Sequence, residues 1–333
     1  MSSTPLDRIG VVAIGRNEGP RLQACLRSLP PGLGRIVYVD SGSTDGSPEW
    51  ASAQGAEVVP LDCATMPFTA ARARNAGFAR LMEIAPAVQL VQFVDGDTHL
   101  HPDWMATGIG HMDRHPPISA VFGSVREKEP GASIYNQVCE VEWNLGTAGE
   151  ARAFAGNVLI RADAVARVGG YNPAVIAAED DELSVRVRQS GGRIERLPAV
   201  MAYHDANITR FTQWWRRARR TGYAYAQVSS LHGRAPERYF IAEVRRTLAW
   251  GLAPLVGIAG AVFTPWPAIT VLAAYLARAA RTGARCARDG WPTRAAAAWG
   301  VSCALASLPH LLGLLGYHAD RAFGRRPALI EYK

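Results

Sequence analysis

The sequence predicts an α/β chain, with a parallel sheet flanked by helices and then a helical membrane region. Three observations carry that expectation. Short apolar runs rich in β-branched residues alternate with segments of helical period over the first two thirds. Two of those runs end in acids set among small residues, at Asp40 and at Asp95-Gly96-Asp97. The last third holds two long uncharged stretches among arginines. With 333 residues there is room for two domains, read as 1–240 and 241–333.

Arg8 to Ile14 reads as the first strand. Pro20 opens a helix, where its missing N–H costs nothing, and Leu22, Cys25, Leu26 and Leu29 continue it at helical spacing. Arg35 to Val39 is a second strand, and Ser47-Pro48 reads as a capped helix start. Glu57 to Leu61 is a third strand, Thr69 caps a helix running to about Leu81, and Leu90 to Val94 is a fourth, buried strand. A strand over Ser119 to Val125, a helix over Ala132 to Gly146 and a strand entered from Phe154 follow. A helix then carries Leu183, Val185 and Val187, and a strand lies near Arg193 to Leu197.

Ligands of an open α/β sheet gather at the carboxyl ends of its strands, and both acidic loops fall there. Asp95 and Asp97 repel one another unless a positive group sits near them. A divalent cation, Mn²⁺ or Mg²⁺, holding a diphosphate suits such hard oxygen ligands. Gly96 lets the backbone turn and approach a ligand closely. The loop Asp40-Ser41-Gly42-Ser43-Thr44-Asp45-Gly46-Ser47 offers a flat hydrogen-bonding floor for a base and ribose. It is neither a G-x-G-x-x-G dinucleotide fingerprint nor a P-loop.

Composition narrows the partners. The net charge is +7 and hydrophobic content 48%. Between Val244 and Ile330 the only acids are Asp289 and Asp320, while arginines recur. That balance points to an anionic membrane surface and not to nucleic acid, whose finger and RNP motifs are absent. Cys25, Cys63, Cys139, Cys286 and Cys303 are scattered with no Cys-x-x-Cys, which argues against zinc and a disulfide framework and for a reducing compartment. The first apolar run is too short for a signal peptide.

The order of motifs resembles family 2 glycosyltransferases of the GT-A fold. Ile14-Gly15-Arg16-Asn17-Glu18 matches the family's first-strand Asn-Glu, and Asp40 to Ser47 its nucleotide loop. Arg72-Ala73-Arg74-Asn75-Ala76-Gly77 resembles its Arg-Asn-x-Gly helix, and Asp95-Gly96-Asp97 its Asp-x-Asp. The resemblance covers residues 8 to about 225. It implies a Rossmann-like domain for nucleotide-diphospho-sugars, with Asn17, Glu18, Asp40 and Ser41 at the donor's base and ribose. It implies Arg72, Arg74 or Asn75 near the nucleotide, Asp95 near ribose and metal, and Asp97 on the metal.

Ala178-Glu179-Asp180-Asp181-Glu182 resembles the family's Glu-Asp motif. Its acids also suit a helix N-terminus. The resemblance implies that one of them is the catalytic base, Asp180 first and Glu179 as the alternative. On the helix they open, Arg186 and Arg188 read as outward or toward phosphate. His204, in Tyr203-His204-Asp205, falls where several members have a further metal ligand. Tyr135, Trp143 and Asn144 are possible sugar or acceptor contacts, with Trp143 favoured as core. Phe211 to Tyr223, with paired Trp214 and Trp215 among arginines, has the composition of an interfacial helix.

Thr247 to Ala277 and Ala295 to Tyr317 are uncharged and read as membrane segments. Their flanks, Arg245-Arg246, Arg281 to Arg294 and Arg321 to Arg326, are all basic. A broken or re-entrant hairpin satisfies those charges better than two simple spans. The expectation is an inverting hexosyltransferase of class EC 2.4 at the cytosolic face of the inner membrane, using a UDP-sugar by default. Its acceptor is a lipid, lipid-linked or glycan hydroxyl. A processive polysaccharide synthase and a non-catalytic sugar-nucleotide-binding membrane protein are the alternatives.

Overall fold

The computed structural model describes residues 6–33, 35–62 and 68–325. Cys63 and Arg326 lie outside them. The elements run β1 (Ile9–Gly15), α1 (Pro20–Arg27), β2 (Ile36–Asp40), α2 (Ser47–Ala53), β3 (Glu57–Pro60), α3 (Ala70–Ile84), β4 (Leu90–Asp95), β5 (Thr98–Leu100), α4 (Trp104–Arg114) and β6 (Ile118–Glu127). They continue α5 (Ile134–Trp143), β7 (Gly149–Glu150), β8 (Val158–Arg161), α6 (Ala162–Arg167), α7 (Glu179–Gln189) and β9 (Arg193–His204). Five helices follow: α8 (Phe211–His232), α9 (Ile241–Ala261), α10 (Trp266–Arg288), α11 (Thr293–Leu305) and α12 (Ser307–Ala322).

The chain divides into two compact units. One comprises residues 1–126 and 146–205, and the other 127–145 and 206–333. The boundary therefore differs from the expected 240/241, because α5 and α8 segregate with the C-terminal helices.

In the first unit the strand order is β3-β2-β1-β4-β8-β6-β9-β5, with β7 on β9. The sheet is mixed and not wholly parallel. β3, β2, β1 and β4 are parallel neighbours, while β8 runs antiparallel to β4 and β5 antiparallel to β9. Val11, Ala13, Leu90 and Val94 face one apolar cluster with Trp104; Val12, Val37, Val91 and Phe93 face the other. This strict alternation buries both faces, as a central strand must when helices cover each side. Gly77 of α3 lies against the sheet so closely that a Cβ would sit 2.4 Å from Val12 Cγ1. The Thr69 side chain accepts the Arg72 N–H at 3.2 Å, so the expected cap on α3 forms. The expected cap at Ser47 does not. Gly46 holds the N-cap position, and Ser47 Oγ instead accepts the Gly19 N–H at 3.1 Å.

In the second unit Trp214 is buried, and its Nε1 donates to Ser302 Oγ at 3.0 Å. It is core, not the interfacial anchor its sequence context suggests. Arg217, within the same expected interfacial stretch, is bound by both oxygens of Glu142 at 2.7 and 3.1 Å. Trp143 packs against the cluster holding Trp214, as a core residue does. Among the described residues, one stretch, Thr293–Ala322, is long and apolar enough to cross a membrane, and 44% of its apolar window is buried in the protein.

Candidate active site

The parallel register sets the site's rim. Gly15 pairs with Asp40 and Ile14 with Asp95, so the ends of β1, β2 and β4 stop in line. The Gly96 N–H donates to the Ile14 carbonyl at 2.8 Å. A Cβ on Gly96 would lie 3.1 Å from that oxygen and 3.2 Å from Glu18 Cγ. The position between the two acids is therefore tight for any larger residue. Glu18, Asp95 and Asp97 converge beside Cys25. Burial first, then the charges of Asp97, Asp95 and Glu18, push its thiol far up.

The Asp40 loop is built by its own acid. Asp40 is buried; its Oδ1 accepts from Tyr38 Oη at 3.0 Å, and its Oδ2 from the Gly42 and Ser43 N–H groups at 3.0 and 2.8 Å. Asn17, at φ 55°, donates its N–H to Ser43 Oγ and accepts the Thr44 N–H at Oδ1, both at 2.8 Å. Ser41 donates its N–H to the Gly15 carbonyl at 3.0 Å. The two loops thus brace one another, with Asn17 exposed at the surface. Glu18 is paired with Arg21 at 2.8 Å.

The antiparallel β5–β9 register sets Thr98 opposite His204, which delivers His204 to Asp97. His204 Nε2 lies 3.1 Å from Asp97 Oδ1, and both side chains are largely shielded. Among the described residues no cluster of three or more His, Cys, Asp or Glu side chains forms a ready metal cage. A carboxylate and an imidazole nevertheless fit a divalent cation that takes its remaining ligands from a diphosphate and water. Asp95, expected as a second metal ligand, has its Oδ1 engaged by Arg74 Nη2 at 2.8 Å.

Arg74 is the hub. It is 2% exposed, and its Nη1 meets Glu179 Oε1 at 2.7 Å and Asp180 Oδ1 at 3.5 Å. Its Nη2 also donates to the Gly156 carbonyl at 3.3 Å. Burial opposes its charge, but Asp180, Asp95 and Glu179 outweigh that and hold it charged well above the ordinary range. One guanidinium therefore joins the end of β4 to the start of α7, and the expected donor and base acids share one place.

Asp180 Oδ2 accepts the Gly156 N–H at 2.8 Å, while Oδ1 is buried with no hydrogen-bond partner among the described residues. Burial first, with Glu179 and Asp95 adding and Arg74 and the Gly156 N–H opposing, raises its carboxyl to about 7. A carboxylate poised there suits a general base.

The other expected residues do different work. Arg72 reaches away to the Asp62 carbonyl at 2.8 Å. Asn75 spends both ends of its amide on the Tyr171 backbone, each at 2.7 Å. Arg186 grips Glu182 through three contacts of 2.6 to 3.0 Å, and Arg188 donates through Nε to the Arg152 carbonyl at 3.0 Å. Asn157 is an addition. Its Oδ1 accepts the Asp95 N–H at 3.0 Å and fixes the end of β4. Only its place before an apolar run hinted at a strand-end position. Tyr171, buried beneath the Arg74 guanidinium at 5.4 Å, is another.

Residues 11–166 match the family model described as glycosyl transferase family 2. The chain carries a family 2 glycosyltransferase domain. Beyond that match, the mixed α/β sheet is a fold this chain shares with solved glycosyltransferase structures. A mannosyltransferase from Pyrobaculum calidifontis, solved with GDP-Man and Mn²⁺, is similar at TM-score 0.59 and 20% identity, covering 94% of this chain and 88% of that one. TarS of S. aureus matches at TM-score 0.54 and 15% identity over 76% of this chain, which spans 46% of that structure's length. A TarS fragment of residues 1–349 matches at TM-score 0.53 and 13% identity, covering 96% and 92% of the two chains. No sequence among the curated proteins matches this chain.

Proposed function

We propose that this glycosyltransferase moves a sugar, with inversion, from a nucleoside-diphosphate donor to a hydroxyl acceptor at a membrane surface. The observation that carries it is Arg74, which gathers Asp95, Glu179 and Asp180 around one guanidinium. Asp180 Oδ1 takes the acceptor's proton as its oxygen attacks the anomeric carbon. The bond to the phosphate oxygen breaks, and its electron pair leaves on the nucleoside diphosphate. Attack opposite the leaving group inverts the anomeric centre. Asp97 and His204 would hold Mn²⁺ or Mg²⁺, which supplies positive charge for that leaving group. The Asp40 loop and Asn17 form the floor on which the base and ribose lie, with UDP as the default nucleotide. Arg74 holds Glu179 and Asp95 in place through its ion pairs, and so acts as a positioning residue.

The basic, acid-poor second unit supports membrane attachment, with the first unit on the cytosolic side and a lipid or lipid-linked acceptor. The test is release of nucleoside diphosphate from a panel of UDP- and GDP-sugars, with and without polyprenyl phosphate or oligosaccharide acceptors. Acceptor-dependent release that is lost in Asp180→Asn is expected. Release unchanged in that variant would contradict the reading.

A further inference from the structure

The exposed apolar surface of the second unit is concentrated in the hairpin of α9 and α10, not in the longer apolar stretch of α11 and α12. At its tip Val262, Phe263 and Trp266 are 81%, 87% and 69% exposed. Val256, Ile258, Leu272 and Leu276 carry the same character down both legs. By contrast α12 is built into the unit: a Cβ on Gly313 would lie 2.0 Å from the Arg219 carbonyl of α8.

We propose that this hairpin is a re-entrant anchor, which enters an anionic bilayer from one side and returns to that side. The inference deepens the membrane attachment put forward above and rests on it. Length decides between re-entry and crossing. The uncharged part of α10, Trp266 to Ala277, is about 18 Å long, and that of α9, Thr247 to Ala261, about 22 Å. A hydrocarbon core is about 30 Å thick. The legs pass the midplane and stop short of the far face.

The backbone at the tip suits hydrocarbon. The Val262, Phe263 and Thr264 N–H groups donate back into α9 at 3.4, 3.0 and 3.2 Å, and Pro265 and Pro267 have none to satisfy. The legs pack closely, with Gly260 against Pro267 and Gly257 against Val271. The Tyr275 hydroxyl donates to the Trp250 carbonyl. Charge selects the occupant. The two helices carry Arg245, Arg246, Arg278, Arg281, Arg285 and Arg288 against the single acid Glu243. All six arginines lie toward the open end, where headgroup phosphates would meet them. A cavity of about 240 Å³ at that end is lined by Arg246, Thr247 and Arg278 with Arg217 and Ser307. A second copy of the chain packed parallel on this face would bring like charges together at the same end.

The experiment is vesicle flotation of the purified full chain, with phosphatidylcholine alone and with added phosphatidylglycerol. The native chain is expected to float with the anionic vesicles, and the pair Phe263→Glu and Trp266→Glu to lower the bound fraction roughly tenfold or more. Equal flotation of that pair overturns the proposal. So does a native chain that ignores vesicles and forms dimers which the pair dissociates. Depth is read with Thr264→Cys and a membrane-impermeant maleimide, against the background labelling of the native cysteines. The re-entrant tip resists reagent on either side of sealed vesicles. Labelling from the lumen means a crossing hairpin, and labelling from outside a tip that never entered; either overturns it. Nucleotide-sugar binding by the first unit is measured on the same samples. Flotation that fails while donor binding persists removes the anchor and leaves the glycosyl-transfer reading standing.

Discussion

Arg74 and Glu179 form a buried ion pair, Nη1 to Oε1 at 2.7 Å. That pair separates two adjacent acids. Glu179 spends an oxygen on the guanidinium, while Asp180 Oδ1 stands 3.5 Å from it and has no hydrogen bond among the described residues. Of the two candidates for base, the geometry favours Asp180. Asp180→Asn should lower kcat by about 10² to 10⁴-fold at nearly unchanged donor KM. Glu179→Gln should lose less turnover and more stability. Steady-state kinetics of both variants, with the reverse ranking, would exchange their roles.

The pH profile follows from the same group. The Asp180 carboxyl is raised from its ordinary value to about 7, chiefly by burial. Below that value it is protonated and accepts no proton, so kcat/KM should fall roughly tenfold per pH unit on the acid side. The linked stability has the opposite sense. A raised acid favours its protonated fold, so its contribution is full below the unfolded value and declines as pH rises toward 7. A kcat/KM profile flat from pH 5 to about 8 would exclude a base of this kind.

Removing Arg74 would leave three acids facing one another in a largely closed place. Arg74→Ala should cost about 3–5 kcal/mol of stability, read by denaturant unfolding. Arg74→Lys should recover only part of it, because an ammonium lacks the planar fork that meets Glu179 and Asp95 at once.

His204→Ala should weaken Mn²⁺ binding in the presence of donor by roughly tenfold or more, measured by calorimetry, without unfolding the sheet. Unchanged affinity would remove His204 from the metal site.

Gly77→Ala tests the helix–sheet approach. With a Cβ only 2.4 Å from Val12 Cγ1, overpacking should cost about 1–3 kcal/mol and lower Tm.

Much of the first unit was legible because its strands alternate strictly and its loops carry distinctive acids. β1, β2, β3 and β4 fall within a residue or so of the runs read from apolar pattern. The antiparallel half was harder to read. β5 is three residues long, and its pairing with β9 depends on tertiary register that no local period encodes. The site shows the same split. The family resemblance implied a metal for both Asp97 and His204, and the β5–β9 register brings the two side chains together. It gave no sign that Asn75 would turn to Tyr171 or that Arg72 would reach Asp62, since two arginines and an amide on one helix look alike until the fold orients them. Trp214 misled for a related reason: an indole beside arginines reads as interfacial unless a partner such as Ser302 is known.

The most direct measurement is a thermal shift of the full chain with UDP- and GDP-sugars, run with Mn²⁺ and with chelator. A cognate donor at about 100 times its Kd adds about 2.7 kcal/mol and raises Tm by roughly 5–10 °C. The account predicts that rise only with the metal present, and its loss in Asp97→Ala. A rise that survives both the chelator and that substitution would contradict it.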